Sequence, residues 1–184
     1  MITSTQRQKQ LKQVGTTIWI TGLHGIGKNE LAYRLEKELF DRGAVTVLLD
    51  GKTVRAGLSR ELDYSPADRA ENLRRVAHIC RMLNDQGLIT ICSFISPDAG
   101  IRDQVAEIIG KDRFLLVYLK ASLDFARKND KYGLYALADE GKIEHMAGMD
   151  ATYQEPENPI ITLDAEKSLN PNELVKLLIN NKII

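Results

Sequence analysis

The sequence predicts an α/β domain in which a five-stranded parallel sheet is covered by helices on both faces. Apolar, β-rich runs alternate along the chain with segments of helical periodicity, an order typical of strand–helix–strand units. The runs are also apolar at nearly every position, as in strands that are buried on both sides. The predicted strands are 16–21, 45–49, 88–94, 114–119 and 160–163.

Two long helices are predicted by their ends as well as by their periodicity. Gly43 and Gly87 each follow the last periodic residue, where a helix is often closed by a left-handed glycine. Ser65 before Pro66 is typical of an N-cap followed by the first helical residue. We therefore expect helices over 27–42 and 65–86, and shorter ones over 98–109, 123–129, 134–140 and 172–181.

Size and charge limit the classes of function that this chain can have. A chain of 184 residues has the usual length of one globular domain. Its 25 Lys and Arg residues balance 25 Asp and Glu residues, so the bulk charge argues against a nucleic-acid partner. A site for an anion must then come from local geometry.

The N-terminal segment and the two cysteines indicate a cytoplasmic protein. Residues 1–14 are polar, and no segment has the roughly 18 apolar residues of a membrane span, so we expect no membrane partner. This segment is a short helix, a frayed arm or a linker remnant, and the domain itself covers 15–184. Cys80 and Cys92 lack the spacing of metal ligands, so we expect both to be buried and reduced.

A glycine-rich loop follows the first predicted strand. The run GLHGIGK at 22–28 fits the pattern G-x-x-x-x-G-K and opens a helix, which is the context that a phosphate-binding P-loop requires. Its backbone N–H groups converge on phosphate oxygens, and Lys28 reaches the β- and γ-phosphates. Only the backbone of His24 is needed, so we expect its side chain to face solvent. The predicted nucleotide-binding residues are Gly22, Gly25, Ile26, Gly27, Lys28, Asn29 and Glu30, with Lys28 also catalytic.

The position after the P-loop lysine departs from this pattern. A P-loop has Ser or Thr there, whose hydroxyl ligates Mg²⁺, and this chain has Asn29. The Asn carbonyl is an oxygen ligand, but its longer side chain shifts the metal, and Mg²⁺ requires a near-octahedral arrangement. Asn29 and Asp50, at the end of the second strand, are the candidate metal ligands. We expect phosphate binding to tolerate this change better than catalysis does.

Several further segments, in a fixed order, make the chain resemble the adenylylsulfate kinases from about residue 15 to residue 164. They are LLDGKTVR at 48–55, LSRELDYS at 58–65, DR at 68–69, ENLRR at 71–75, FISP at 94–97, GLY at 133–135 and YQEPENP at 153–159. The resemblance implies a three-layer P-loop fold with a helical lid.

The resemblance also implies an activity, cofactors and partners. Adenylylsulfate kinases transfer the γ-phosphate of ATP, with Mg²⁺, to the 3′-hydroxyl of adenylylsulfate, which gives 3′-phosphoadenylylsulfate and ADP. They are commonly dimers, so a homodimer is implied, as is a fused or associated ATP sulfurylase. The residues that correspond to the substrate site are Arg55, Tyr64, Arg69, Asn72, Ile95, Ser96, Leu134 and Met146. Guanidinium groups suit phosphosulfate oxygens, and an aromatic face suits a purine.

Two other departures separate this chain from that family. Family members read DGD where this chain has DGK at 50–52, so a carboxylate is replaced by Lys52 and Asp50 alone remains as a candidate base. In the lid, a family lysine is replaced by Tyr132 and a phenylalanine by Met146. Two hypotheses stay open: an adenylylsulfate kinase, and a non-catalytic regulatory domain of the same fold, as in some fungal ATP sulfurylases.

Overall fold

The computed structural model describes residues 2–167 and 169–184 and contains a five-stranded parallel sheet. The strands are β1 (Thr17–Thr21), β2 (Thr46–Asp50), β3 (Ile89–Ser93), β4 (Phe114–Lys120) and β5 (Ile161–Asp164). They lie in the order β2-β3-β1-β4-β5, and each neighbouring pair is parallel. The predicted fold class and the five predicted strands are confirmed.

Helices connect the strands, and one further helix precedes the first strand and another follows the last. They are α1 (Ser4–Leu11), α2 (Lys28–Asp41), α3 (Gly51–Ala56), α4 (Pro66–Asp85), α5 (Ala99–Ile109), α6 (Leu123–Lys128), α7 (Leu134–Asp139) and α8 (Asn172–Asn180). The six predicted helices are present. Of the alternatives for residues 1–14, the structure has the short helix, which begins with a capping box of Thr3 and Gln6. Within the described residues, no helix has the length and apolar character that crossing a bilayer demands.

Helix α3 is not predicted by the sequence, because its six residues are too few to show a helical period. It begins directly after β2, and the side chain of Asp50 caps it. The end of β2 is therefore a sharp strand-to-helix junction.

Two clusters of buried side chains join the helices to the sheet, one on each face. Ile18 and Ile20 belong to the cluster that includes α2 and α8, and Trp19 between them belongs to the cluster under α4 and α5. Because successive strand residues point to opposite faces, both faces of β1 are buried, and this explains its unbroken apolar sequence. Cys80 and Cys92 lie in the second cluster with their Sγ atoms 3.3 Å apart, which confirms that both are buried.

The parallel register brings three strand ends to one edge of the sheet. Ser93, the last residue of β3, is aligned with Ile20 of β1 on one side and with Asp50 of β2 on the other. The loop at 22–28 starts one residue beyond the end of β1. The carboxyl edge of a parallel sheet is where α/β proteins bind ligands, so the fold places this loop, Asp50 and Ser93 at the expected binding edge.

Candidate functional site

The loop at 22–28 curls so that its backbone amides have no hydrogen-bond acceptor among the residues that the structure describes. Gly25 and Gly27 have φ angles of 78° and 93°, in the left-handed region that glycine adopts readily. Among the described residues, none accepts a hydrogen bond from the amides of residues 23–30, and no side chain caps the N-terminus of α2. Converging N–H groups at a helix start form a site for an anion.

Close packing explains why two positions of the loop require glycine. A Cβ atom on Gly22 would lie 2.4 Å from the carbonyl oxygen of Leu119, and one on Gly25 would lie 3.0 Å from that of Ala126. Gly27 differs, because the nearest atom to its Cβ would be 3.5 Å away, and its positive φ is the constraint. The loop is thus held between the end of β4 and helix α6.

Lys28 is the first residue of α2, and its side chain lies across this loop. Its Nζ donates a hydrogen bond to the carbonyl oxygen of Leu23 at 2.6 Å, and only 8% of the residue is exposed. Burial lowers the pKa of Lys28 to about 7, because the charged form loses its hydration. The ammonium group therefore lies over the same loop whose amides are unpaired.

The two candidate metal ligands both accept hydrogen bonds. Asn29 Oδ1 accepts one from Ser93 Oγ at 2.6 Å. Asp50 is 4% exposed, and its Oδ1 and Oδ2 accept from the amide and the hydroxyl of Thr53 at 2.8 and 3.1 Å. Tyr33 Oη lies 3.4 Å from Asp50 Oδ2, and burial followed by this carboxylate raises the pKa of Tyr33. The carboxylate of Asp50 is thus fixed by the start of α3.

These oxygens fit a magnesium ion that is bound together with a nucleotide. The described residues contain no group of three His, Cys, Asp or Glu side chains that could hold a metal ion unaided. Mg²⁺ prefers hard oxygen ligands and is often held by one or two protein groups, with water and phosphate oxygens completing its octahedron. The side-chain oxygens of Asn29, Asp50 and Ser93 supply that chemistry at one edge of the sheet. Lys52, the second residue of α3, is exposed and brings a positive charge near this edge.

A lid formed by residues 123–151 covers the loop. It contains α6, α7 and the segment that follows, and a Cβ atom on Gly148 would lie 2.9 Å from the side chain of Leu23. Met146 is 7% exposed and belongs to the larger core cluster, and Leu134 packs against the same cluster. The carboxylate of Asp150 fixes this segment by accepting hydrogen bonds from the amides of His145 and Met146 at 2.5 and 2.6 Å.

The prediction that the side chain of His24 faces solvent is wrong. Its Nε2 lies 3.6 Å from Asp130 Oδ1, and only 25% of the side chain is exposed. The hydroxyl of Tyr135 donates to the carbonyl oxygen of His24 at 3.1 Å, so the lid contacts both the backbone and the side chain. Burial, followed by the charge of Lys28, lowers the pKa of His24. The sequence does not show this because the lid reaches the loop only in the folded chain.

Arg55, Tyr64 and Arg69 form a cationic cluster near the start of α4. The guanidinium carbon of Arg55 lies 4.4 Å from the centroid of the Tyr64 ring, and that of Arg69 lies 5.9 Å from it. Burial, followed by the charge of Arg55, lowers the pKa of Arg69. Tyr64 is 62% exposed. The cluster therefore combines two guanidinium groups with an accessible aromatic face, which suits an anion attached to a flat ring.

Asn72 lies three residues after Arg69 on α4. It is 3% exposed, and its Oδ1 atom accepts no hydrogen bond from the described residues. An unsatisfied buried polar atom costs about 1 to 3 kcal/mol, so native proteins contain few of them. A ligand that donates a hydrogen bond to this oxygen would remove that cost.

A buried network fixes Ile95 and Ser96 in the loop after β3. Ser96 has a φ of 39°, and its hydroxyl donates to Thr21 Oγ1 at 3.0 Å. The hydroxyl of Thr21 in turn donates to the carbonyl oxygen of Ile95 at 2.6 Å. Arg102 is 3% exposed and donates to two backbone carbonyls, one of them that of Ser96 at 2.7 Å. Sequence reasoning missed Thr21 and Arg102, because long-range folding alone brings them to this loop.

Comparison with known proteins gives matches over most of the chain. Residues 14–164 match the family model described as adenylylsulphate kinase. An adenylyl-sulfate kinase of Bacteroides thetaiotaomicron is 42% identical over 167 residues, which are 91% of this chain and 83% of that protein. A bifunctional enzyme CysN/CysC of Rhodopirellula baltica is 42% identical over 164 residues, which are 89% of this chain and 25% of that protein. The solved structure of the Mycobacterium tuberculosis APS kinase CysC in complex with AMPPNP and APS is 36% identical with a TM-score of 0.83, covering 91% of this chain and 97% of that one.

The lowered pKa of Lys28 predicts that nucleotide binding depends on pH. A bound phosphate favours the ammonium form and raises this pKa, so binding takes up a proton above pH 7 but not below it. The affinity for ATP should then fall as the pH rises above 7, by at most about tenfold per pH unit. Calorimetric titration in buffers of different ionisation enthalpy measures the proton uptake directly.

The Lys28→Arg variant is the control for this pH dependence. Its guanidinium stays charged over the whole pH range of the titration, so the remaining pH dependence belongs to the nucleotide and to His24. Equal proton uptake by the variant and the unaltered protein at pH 8 would contradict the role given to Lys28.

Proposed function

This chain belongs to the adenylylsulphate kinase family, and from that premise we propose that it transfers the γ-phosphate of ATP to the 3′-hydroxyl of adenylylsulfate. The products are 3′-phosphoadenylylsulfate and ADP. The observation that carries the proposal is the loop at 22–28, where unpaired amides and the Lys28 ammonium meet at the binding edge of the sheet. Phosphoryl transfer depends mainly on such positioning and charge neutralisation.

We assign the phosphates of ATP to the loop and to the first turn of α2. The amides of Gly25, Ile26 and Gly27 would donate to phosphate oxygens, and Gly22 allows the loop to pass close to Leu119. Lys28 would replace its hydrogen bond to Leu23 with one to the β- or γ-phosphate. Asn29 and Glu30 carry the last free amides of the helix start.

We assign adenylylsulfate to the cationic cluster and its neighbours. Arg55 and Arg69 would bind the phosphosulfate oxygens, and the exposed face of Tyr64 would stack on the adenine. The unpaired Oδ1 of Asn72 would accept a hydrogen bond from the ligand. Ile95, Ser96, Leu134 and Met146 complete the walls: the first two are held by the network around Thr21, and the last two by the lid.

When bound, Mg²⁺ supplies charge neutralisation at the β- and γ-phosphates. Asn29 and Asp50 are the residues that we assign to it. Asp50 is also the candidate base, but both of its oxygens accept hydrogen bonds from Thr53, and Lys52 lies two residues away. This arrangement favours positioning of the acceptor hydroxyl over removal of its proton.

The same residues favour a second candidate function, a regulatory domain that binds these nucleotides without turnover. Asn29 replaces the P-loop hydroxyl, and Lys52 replaces a carboxylate beside the acceptor. The loop would bind phosphate through backbone amides, which every residue type supplies, and Lys52 does not belong to the cationic cluster of Arg55, Tyr64 and Arg69. Both candidate functions therefore predict nucleotide binding, and they differ only in whether phosphate is transferred.

We propose that an ATP sulfurylase works with this chain, because adenylylsulfate has to be made by a reaction that joins sulfate to adenylate. The bifunctional relative from R. baltica, of which this chain spans a quarter, supports a link to a second enzyme. The homodimer and the cytoplasmic setting stay predictions that rest on the family resemblance.

The direct test is release of ADP when the protein is mixed with adenylylsulfate, ATP and Mg²⁺. We expect turnover that depends on adenylylsulfate and that is lost in Lys28→Ala, since this change removes the charge at the phosphates. A rate equal to that of Lys28→Ala, in protein that still binds both nucleotides, would eliminate the kinase and support the regulatory domain.

Replacing Lys52 with Asp tests whether the missing carboxylate limits kcat. A carboxylate near the acceptor hydroxyl should raise kcat by roughly tenfold or more, because general bases typically contribute such factors. The start of α3 also favours an acidic residue, so the variant should fold normally.

Lys52→Ala is the matched control, because it removes the cation without adding a base. An equal gain in both variants would show that the charge of Lys52, and not the missing carboxylate, limits the rate. If kcat rises in neither variant, residue 52 does not act near the acceptor hydroxyl, and the role proposed for it is contradicted.

A further inference from the structure

A second hydroxyl lies beside the residue that replaces the usual P-loop hydroxyl. Ser93 is 3% exposed, and its Oγ lies 2.6 Å from Asn29 Oδ1. An amide oxygen carries no proton, so Ser93 donates in this bond and keeps both lone pairs on its own oxygen. The described residues place no hydrogen-bond donor on those lone pairs.

The fold places Ser93 at the centre of the binding edge. It ends β3, which lies between the strand that leads into the phosphate loop and the strand that ends in Asp50. Its Cα is aligned with those of Ile20 and Asp50 in the two neighbouring strands. A residue paired on both sides is held more rigidly than one in a loop, so its hydroxyl has a defined position.

The spacing of the two oxygens suits neighbouring ligands of one Mg²⁺ ion. With Mg–O distances of 2.0–2.1 Å, adjacent corners of an octahedron are about 2.9 Å apart. Asn29 Oδ1 and Ser93 Oγ need to separate by only a few tenths of an ångström to reach that spacing. The hydroxyl proton of Ser93 would then rotate toward a phosphate or a water molecule.

We propose that Ser93 supplies the metal-ligating hydroxyl that Asn29 lacks, so that a magnesium–nucleotide complex is held jointly by β3 and the first turn of α2. The proposal rests on the nucleotide site of the proposed function and does not require phosphate transfer. It explains how this chain keeps a hydroxyl ligand despite the change in its P-loop.

The test measures ATP affinity by calorimetry with Mg²⁺ and with EDTA. In the unaltered protein, Mg²⁺ should strengthen binding. In Ser93→Ala, the affinity for ATP in EDTA should stay the same. The gain in ATP affinity on adding Mg²⁺ should fall about tenfold, as expected when a group close to a bound metal is removed. Ser59→Ala is the matched control, because Ser59 is also buried and its hydroxyl makes no hydrogen bond with the described residues.

Two further variants distinguish a metal ligand from a structural hydroxyl. Asn29→Ser in the Ser93→Ala background should restore the gain from Mg²⁺, because the hydroxyl returns at the usual P-loop position. Ser93→Cys should bind ATP more tightly with Cd²⁺ than with Mg²⁺, since a thiolate prefers a soft metal. This variant keeps the size of the side chain and tests the proposal even if Ser93→Ala folds poorly.

Three outcomes would overturn the proposal. Equal losses with Mg²⁺ and with EDTA would show a structural role for Ser93, and an unchanged gain from Mg²⁺ would show no role at all. An absence of ATP binding by the unaltered protein would overturn the nucleotide site itself and this proposal with it. The first two outcomes leave the proposed function intact.

Discussion

The rest of the site depends on the backbone amides of residues 23–30, which donate no hydrogen bond to any residue that the structure describes. Polar backbone groups are almost always paired in folded proteins, and the left-handed glycines of this loop keep its amides from pairing internally. The same fold buries the Lys28 ammonium and lowers its pKa to about 7. One bound anion would pair with the amides and favour the charged form of the lysine. Binding of phosphate would therefore relieve both the cost of unpaired amides and the cost of burying the ammonium group.

In the proposed function, the site around this loop combines an anion-binding surface with chemical groups that depart from the P-loop pattern. The cationic cluster of Arg55, Tyr64 and Arg69 needs no metal to attract an anion. The metal side differs, because Asn29 and Lys52 change the ligand and the charge while Asp50 caps α3. Under the proposed function, binding and transfer share Lys28 but otherwise depend partly on different residues, and the hydroxyl of Ser93 on β3 offers one route by which transfer persists.

The sequence predicts the fold and the phosphate loop because both depend on local patterns. Strand periodicity and the spacing of glycines are visible in short windows, and each long helix has its own end signals. The contacts of His24 with the lid and of Ser93 with Asn29 join segments far apart in the chain, so no local pattern indicates them. Helix α3 is an intermediate case. Asp50 is a residue type that often caps a helix start, but a six-residue helix is too short to show the periodicity that would support this signal in the sequence.

The account depends most directly on whether these amides bind phosphate. Titration of ¹⁵N-labelled protein with ADP, followed by amide resonances, observes them one by one. We expect the amide protons of Gly25, Gly27 and Lys28 to move downfield on forming hydrogen bonds to phosphate, while those of Gly43 and Gly110, in turns outside the loop, stay in place. Binding of ADP that leaves the three loop amides unmoved would contradict the account.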